Sequence, residues 1–549
     1  MNSAFPPAPR WRVAGRWALL AAALALAFTA ACADWREVFP GERRVFFVDA
    51  DCYARMTRVR AVCEHPGLVL TAHEFENYPF GTRPHTTALF DYLVWALSGV
   101  IGVFTRGVDA RDLAGAWVSP VLGLLAVAAG GVWANRARLP GRVPMFLVLA
   151  GSPILAHGFA LGRPDHQSLV LACMAWALAA EWALWRAPSR GWGWVSGVAW
   201  ALGLWTSLYE PAVLLAVVLA TGLAFNRPSL WQRARLPGLA VGGVILLAAL
   251  LVEGWRLDAL PGFGRDAPLF AAWSRQVEEL RSVAPWDGVI FRWTGWGIVA
   301  APLLLLLPRR EPEETPSSNL RRQGLAQAVL LLTVWALTCW QVRWGYFLPL
   351  VYAMTIPTQL GALPVRWRPA AAALLVAALW PLAGFWYETA SPPAEAAAVS
   401  AEKREDNFLL REAAEFIGRA PSAEPGSNQG ILAPWWLCPP LAYWSGQPAV
   451  AGSSHESLEG IGDTALFYLE PDARAAAAIL RRRKVRWVVV YEPDRALRKA
   501  AELYGRTLVP TRAMGNLLYI RPDYAPRFLH PAFQNRYFKV YEVVPAVLP

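Results

Sequence analysis

Apolar runs of about 17 to 22 residues recur through the first 388 positions, separated by short polar turns, and each is long enough to cross a hydrocarbon core of roughly 30 Å as a helix. The pattern marks segments near 14–33, 88–105, 112–133, 143–161, 168–186, 193–208, 211–225, 236–255, 289–307, 325–342, 345–362 and 369–388. Beyond them the pattern changes. Residues 389–400 read as a linker; 403–419 has helical periodicity, Gly430 to Pro434 reads as a short buried strand, 473–483 as an Ala-rich helix, and Val485 to Tyr491 as a β-branched strand. The expected architecture is a multi-spanning α-helical membrane region over 1–388, of about 11 to 13 spans, with outer loops at 34–87 and 256–288. A small α/β domain follows at 401–549.

Composition agrees. Of 549 residues 55% are hydrophobic and 17% charged, below the roughly 25% charged content of an average soluble domain. The net charge of +11 would suit nucleic acid, but the arginines are distributed by loop, as topology signals, and no nucleic-acid partner is expected. Arg10, Arg12 and Arg16 precede the first span and put the N-terminus in the cytoplasm. Later clusters at Arg186/Arg190, Arg227/Arg233/Arg235, Arg309/Arg310/Arg321/Arg322 and Arg366/Arg368 define the same side. Asp49, Asp165, Glu210, loop 256–288, Arg343 and the tail after 388 then face outward, as expected of a multi-pass protein of the inner (plasma) membrane. One stretch breaks the count: three apolar segments lie between 88 and 165, where an even number is needed. The first 33 residues also have a cleaved-signal reading, ending Ala31-Cys32-Ala33, although the run is long enough to stay as an anchor. Cys52 and Cys63 share a loop and could pair in an oxidising compartment; packing as small hydrophobes is the favoured reading for all six cysteines.

Charged groups beside hydrocarbon are costly, which makes an ionisable cluster there a functional candidate. Asp49 and Asp51 stand one residue apart after the first span, and Asp165-His166-Gln167 follows Gly162-Arg163-Pro164 at the end of another segment. Carboxylates in this spacing supply hard oxygen ligands for a divalent cation. Either aspartate could equally be a helix N-cap. Arg343, between two apolar runs, could grip phosphate oxygens or simply snorkel.

In order along the chain, Asp49-Ala50-Asp51-Cys52-Tyr53-Ala54-Arg55, then Asn77-Tyr78-Pro79-Phe80-Gly81 to His85 with Leu89-Phe90-Asp91, then Gly162 to His166, resemble the catalytic subunit of oligosaccharyltransferase. That family belongs to the membrane-embedded C-type (GT-C) glycosyltransferases, which use polyprenyl-linked donors. Val277-Glu278-Glu279-Leu280 resembles the family's mobile outer-loop segment, whose Glu holds the acceptor amide, and Gln341-Val342-Arg343-Trp344 to Tyr346 resembles the segment whose Arg binds the donor pyrophosphate. Trp435-Trp436 resembles the start of the Trp-Trp-Asp-Tyr-Gly signature, but Leu437-Cys438-Pro439 stand where Asp-Tyr-Gly would, so the carboxylate that reads the sequon hydroxyl is missing.

The resemblance implies a sugar or oligosaccharide transferase at the outer face, with Asp49, Asp165 and Glu279 catalytic. Asp49, Asp51, Asp165 and His166 would bind Mn²⁺ or Mg²⁺, the second motif offering His166, Gln167 or neither. His85 and Arg343 would hold the donor phosphates, and Glu279, Trp435 and Trp436 the acceptor. The partners implied are a polyprenyl-linked donor, membrane lipid and a protein, glycan or lipid acceptor. Two alternatives stand beside it: a related transferase acting on a lipid, glycan or non-sequon protein site, and a transporter or flippase of lipid-linked intermediates. The clustering of ionisable groups at the outer boundary rather than the midplane disfavours the transporter.

Overall fold

A computed structural model of the chain describes residues 10–41, 44–105, 109–254, 267–306, 318–421, 429–506 and 512–549. Loop 256–288 is therefore described only from residue 267, and Arg309 and Arg310 lie outside the described residues.

Among the described residues six helices are long and apolar enough to cross a membrane: Ala14–Ala31, Ala110–Arg136, His166–Arg186, Arg227–Val252, Arg321–Trp340 and Val365–Ala390. A seventh is the pair Gly288–Thr294 and Gly297–Leu306, bent by 72°. Several segments that read as single spans are interrupted. The 143–161 run divides into Arg142–Gly151 and Pro153–Gly158, and the 369–388 run into Arg368–Ala377 and Trp380–Ala390. Both breaks fall at a proline, Pro153 and Pro381, which has no N–H to continue the helical ladder. Elsewhere glycines permit close approach. Gly193, Gly197, Gly238 and Gly242 bring the helices Arg190–Thr206 and Leu236–Val252 so near that a Cβ at Gly197 would stand 1.9 Å from the Gly238 carbonyl oxygen. Small residues serve helix pairing in membranes in this way. One arginine of the basic clusters does more than mark a side: Arg235 is buried and pairs with Glu181 at 2.6 Å.

The broken helix 142–158 runs back along Ala110–Arg136, since Leu149 fills the space over Gly130 and Phe159 that over Gly123. The helix Leu89–Gly102 does not run the length of the bundle. Its Asp91 pairs with Arg55 and Arg58 of the helix Ala50–Glu64, and Gly102 packs on Ala110 at the start of the next helix. By length, Leu89–Gly102 and Arg142–Gly151 are both shorter than the helices able to cross a membrane. Cys52 and Cys63 lie on that same helix Ala50–Glu64 and both are free; eleven residues of helix separate their Cα atoms by about 16 Å, beyond any disulfide.

A second hydrophobic core gathers residues from 410 onward and takes in Ala272 and Trp273 from the far loop. Its sheet has the order β1-β2-β4-β3, with β1 Gly430–Leu432, β2 Val485–Val490, β3 Leu529–Gln534 and β4 Lys539–Val543. β1 and β2 are parallel and the other pairings antiparallel. The stretch 389–400 is helical apart from Ser391-Pro392-Pro393, because the alanines from Ala394 onward extend the next helix to Ala394–Arg419.

Gly162 holds the bundle to the loop that begins at Val45. It has a left-handed φ of +74°, and a Cβ there would stand 2.7 Å from Val38 Cγ2. Gly162→Ala is expected to destabilise the protein by roughly 1–3 kcal/mol, whereas Gly243→Ala, which meets no atom within 4 Å, should be neutral. Thermal unfolding of the two variants in detergent tests this, and equal midpoints would refute it.

Candidate active site

Backbone hydrogen bonds bring the first two acidic motifs together. Val48 N–H donates to Gly162 O at 3.0 Å, Gly162 N–H to Ala116 O at 3.0 Å, and Leu161 N–H to Ala31 O at 2.9 Å. Asp49 then starts the helix Ala50–Glu64 and Asp165 the helix His166–Arg186, and each is an N-cap: Asp49 Oδ1 accepts from Cys52 N–H at 3.0 Å, Asp165 Oδ1 from Gln167 N–H at 3.1 Å. Capping occupies one oxygen of each carboxylate. The other oxygens converge on Arg163, with Asp165 Oδ2 at 3.2 Å from Nη2 and Asp49 Oδ2 at 3.7 Å from Nε.

Glu279 reaches the same guanidinium from the far loop. Val342 N–H donates to Arg281 O and Val283 N–H to Cys339 O, at 2.9 and 3.0 Å, so the loop strand lies along the segment that carries Arg343 and Tyr346. Glu279 Oε1 thereby accepts from Arg163 Nη2 at 2.9 Å and from the Tyr346 hydroxyl at 3.1 Å. Arg163 Nη1 donates to the Tyr346 hydroxyl oxygen at 2.8 Å and lies 3.1 Å from His157 Nδ1. Arg163 is 3% exposed. Burial alone would raise the Asp165 carboxyl, yet His166 and Arg163 beside it hold it well below the usual carboxylate range.

Around this centre lie the other candidates. His166 Nδ1 is 2.9 Å from Asp165 Oδ1 and 3.3 Å from Arg55 Nη2; Arg55 and Arg58 in turn share Asp91, which is fully buried, at 2.9 and 2.7 Å. The His85 ring stands 6.5 Å from His166, and its Nδ1 lies 2.8 Å from Glu456 Oε1. Burial would raise the Glu456 carboxyl, but the His85 contact brings it down to about 2. Arg343 is bound through Nε to Glu210 Oε1 at 2.5 Å, and Glu279 and Asp165 are within electrostatic reach of its charge. Asp51 takes no part in the Arg163 contacts, but it lies within electrostatic reach of Asp49, Asp165 and Glu279, and burial together with those carboxylates pushes its carboxyl up to about 8.

The expected Mn²⁺ or Mg²⁺ ligands Asp49, Asp51, Asp165 and His166 do not assemble as a cage. Asp49 and Asp165 face a guanidinium that stands between them, His166 Nδ1 faces Asp165, and Asp51, though within electrostatic reach of Asp49, Asp165 and Glu279, makes no contact with that guanidinium; a magnesium-like ion needs ligand oxygens at roughly 2.0–2.1 Å in the space Arg163 fills. Gln167, the other alternative, is buried with Oε1 lacking a hydrogen-bond partner. Among the described residues one group does bring three ligand atoms within 4.8 Å of one another: His85, His455 and Glu456. Two imidazoles and a carboxylate suit a zinc-like ion better than magnesium.

Trp435 and Trp436 are not drawn into this centre. Lys499 Nζ sits 4.4 Å over the Trp436 ring, and Trp435 meets Trp273 at 6.5 Å. Leu437 is buried in the second core and Cys438 donates its thiol to Ala433 O at 3.3 Å. Sequence reasoning missed Arg163, Asp91, Glu210, His455 and Glu456. The available signal was charge at helix ends: Arg163 lies two residues before Asp165, and Glu210 in the first turn of an apolar helix.

No family model matches the chain, and no curated protein sequence matches it. Solved structures do. AglB, the oligosaccharyltransferase of Archaeoglobus fulgidus, in complex with an inhibitory peptide and a dolichol-phosphate, matches with a TM-score of 0.62 at 13% identity, over 98% of this chain and 75% of AglB. AglB with Zn and sulfate gives 0.66 at 14% identity, over 94% and 79%. ArnT from Cupriavidus metallidurans gives 0.52 at 15% identity, over 98% and 99%. The chain has the GT-C fold that these proteins share.

Asp91→Asn would leave Arg55 and Arg58 buried without a carboxylate and is expected to cost roughly 3–5 kcal/mol of stability. Unfolding in denaturant measures it, and a loss below about 1 kcal/mol would contradict the buried ion triad described above.

Proposed function

We propose that the protein transfers a sugar or oligosaccharide from a polyprenyl-(pyro)phosphate donor to an acceptor at the outer face of the inner (plasma) membrane. The observation that carries the reading is the meeting of Asp49, Asp165 and Glu279 on one guanidinium. His85 and Arg343 stand alongside, in the fold of a protein solved with a dolichol-phosphate and a peptide. In the proposed reaction the acceptor heteroatom bonds to the anomeric carbon. The bond from that carbon to the phosphate oxygen breaks, and its electron pair leaves with the lipid phosphate. Arg343 presents its terminal nitrogens to that phosphate, since its hydrogen bond to Glu210 is made through Nε, and a guanidinium fork matches phosphate oxygens. His85 supports the phosphate from the opposite loop. Asp49, 39% exposed, is the carboxylate open enough to take the acceptor proton. Glu279 orients the acceptor. A divalent ion such as Mn²⁺ or Mg²⁺ is left out of this scheme because Arg163 stands where Asp49 and Asp165 would hold it.

A non-sequon acceptor, whether lipid, glycan or another protein site, has a specific observation in its favour. Leu437 has no hydrogen-bond acceptor and is buried in the second core, so this position supplies no carboxylate to a Ser or Thr hydroxyl.

In reconstituted membranes Asp49→Asn and Glu279→Gln are each expected to lower transfer at least about 100-fold, and Arg343→Gln to raise the donor KM. Undiminished transfer by Asp49→Asn would remove the basis of the reading. Mass spectrometry of glycopeptides and glycolipids with and without the gene identifies the acceptor: loss of glycans on Asn-x-Ser/Thr peptides would overturn the non-sequon choice.

A further inference from the structure

We propose that Arg163 is a resident cation, built into the chain, that occupies the place of a divalent ion between Asp49, Asp165 and Glu279 and makes this centre independent of metal. The proposal rests on the transferase reading for its catalytic meaning, but not for its test. Three carboxylates on a common centre repel one another and need a positive charge among them if they are to stay ionised. A guanidinium supplies it permanently, being protonated at any working pH, and its planar fork can address several carboxylates at once. Arg163 does so: Nη2 is shared by Asp165 and Glu279 at 3.2 and 2.9 Å, and Nε faces Asp49 at 3.7 Å. That Nε is buried and makes no hydrogen bond, so the charge is aimed at Asp49 without being consumed by another partner.

The arginine cannot readily swing aside. Its backbone sits in the turn after Gly162, whose N–H and C=O bond Ala116 and Val48, and Ser119 donates its hydroxyl to the Arg163 carbonyl. The far side of the guanidinium is closed by the Tyr346 hydroxyl and His157. A resident cation here has two consequences. It sets a positive charge against Asp49 and Asp165 before any ligand arrives, and it fastens Glu279, hence the loop segment 277–283, over the centre.

Mn²⁺ binding to the purified full-length protein in detergent, followed by electron paramagnetic resonance after chelator treatment, tests the assignment without assaying transfer. Wild type and Asp49→Asn should give the same Mn²⁺ isotherm, because no ion depends on Asp49; any Mn²⁺ held by His85, His455 and Glu456 is common to both and cancels. Arg163→Ala should gain one Mn²⁺ site that wild type lacks, and Arg163→Ala/Asp49→Asn should lose it. Wild type that binds Mn²⁺ in an Asp49-dependent manner overturns the proposal, as does a folded Arg163→Ala that gains no site. If Arg163→Ala fails to fold, the comparison of wild type with Asp49→Asn still decides. Transfer by wild type should persist in excess EDTA, and its abolition by EDTA with recovery on Mn²⁺ would overturn the proposal independently. Absence of transfer in every condition would sink the transferase reading instead, leaving the binding result to stand by itself.

Discussion

A buried guanidinium is the constraint on which the candidate site depends. Removing an unpaired charge from water costs several kcal/mol even after relaxation, so Arg163, 3% exposed, is compatible with folding only if its partners arrive. Those partners come from the start of one helix (Asp49), the start of another (Asp165), a distant loop (Glu279) and the segment after a later span (Tyr346), the last two 116 and 183 residues along the chain from Arg163. The same contacts that lower the cost of the charge also fix the relative positions of three carboxylates. Stability and site geometry are therefore one requirement, because a displacement of any partner leaves a buried charge short of compensation.

A second set of polar contacts joins the membrane bundle to the core formed from residue 410 onward. The turn Asn77–Gly81 docks against it: Tyr78 N–H donates to Ala449 O, Ala449 N–H to Phe75 O, and Arg483 Nη1 to Asn77 Oδ1, at 3.0, 3.0 and 2.9 Å. Asn77 itself takes a φ of 54°, the left-handed region that Asn tolerates better than most residues. Eight residues on, His85 meets Glu456. The segment that most resembles a known family therefore serves a structural end as well: it is clamped at both ends to the second core, which carries His85 to within one ring's reach of His166.

Helix positions were legible because composition and period carry them, and interruption was not, because a break depends on which neighbour accepts the freed carbonyl. Ser152-Pro153 and Gly295 are visible as breakers in the chain, yet equally placed residues such as Pro120 and Pro302 stay inside helices. Asp49 and Asp165 could be read as caps or as site residues; the structure makes both of them caps and turns the second oxygen of each toward Arg163. Arg163 stands in view beside Asp165, yet nothing local distinguishes a snorkelling arginine from one that two remote carboxylates, Asp49 and Glu279, will join. The same limit hid Glu456 and Glu210, whose partners His85 and Arg343 lie 371 and 133 residues away.

The departures from the family's acceptor signature are of one kind. Leu437, Cys438 and Pro439 are all buried, with Leu437 and Cys438 in the core beneath the sheet, so apolar packing now holds the turn where a signature with Asp and Tyr would project polar groups. An ionised carboxylate there would have to be desolvated in that apolar core, which is unfavourable, whereas the Cys438 thiol is accommodated by its hydrogen bond to Ala433 O. Trp435 and Trp436, by contrast, remain half-buried under Lys499 and against Trp273. The turn presents an aromatic surface and touches the Glu279 loop through Trp273, and apolar packing fills its buried positions. Glu279, held by Arg163 and Tyr346 yet part-exposed, is the carboxylate that this loop brings to Asp49 and Asp165.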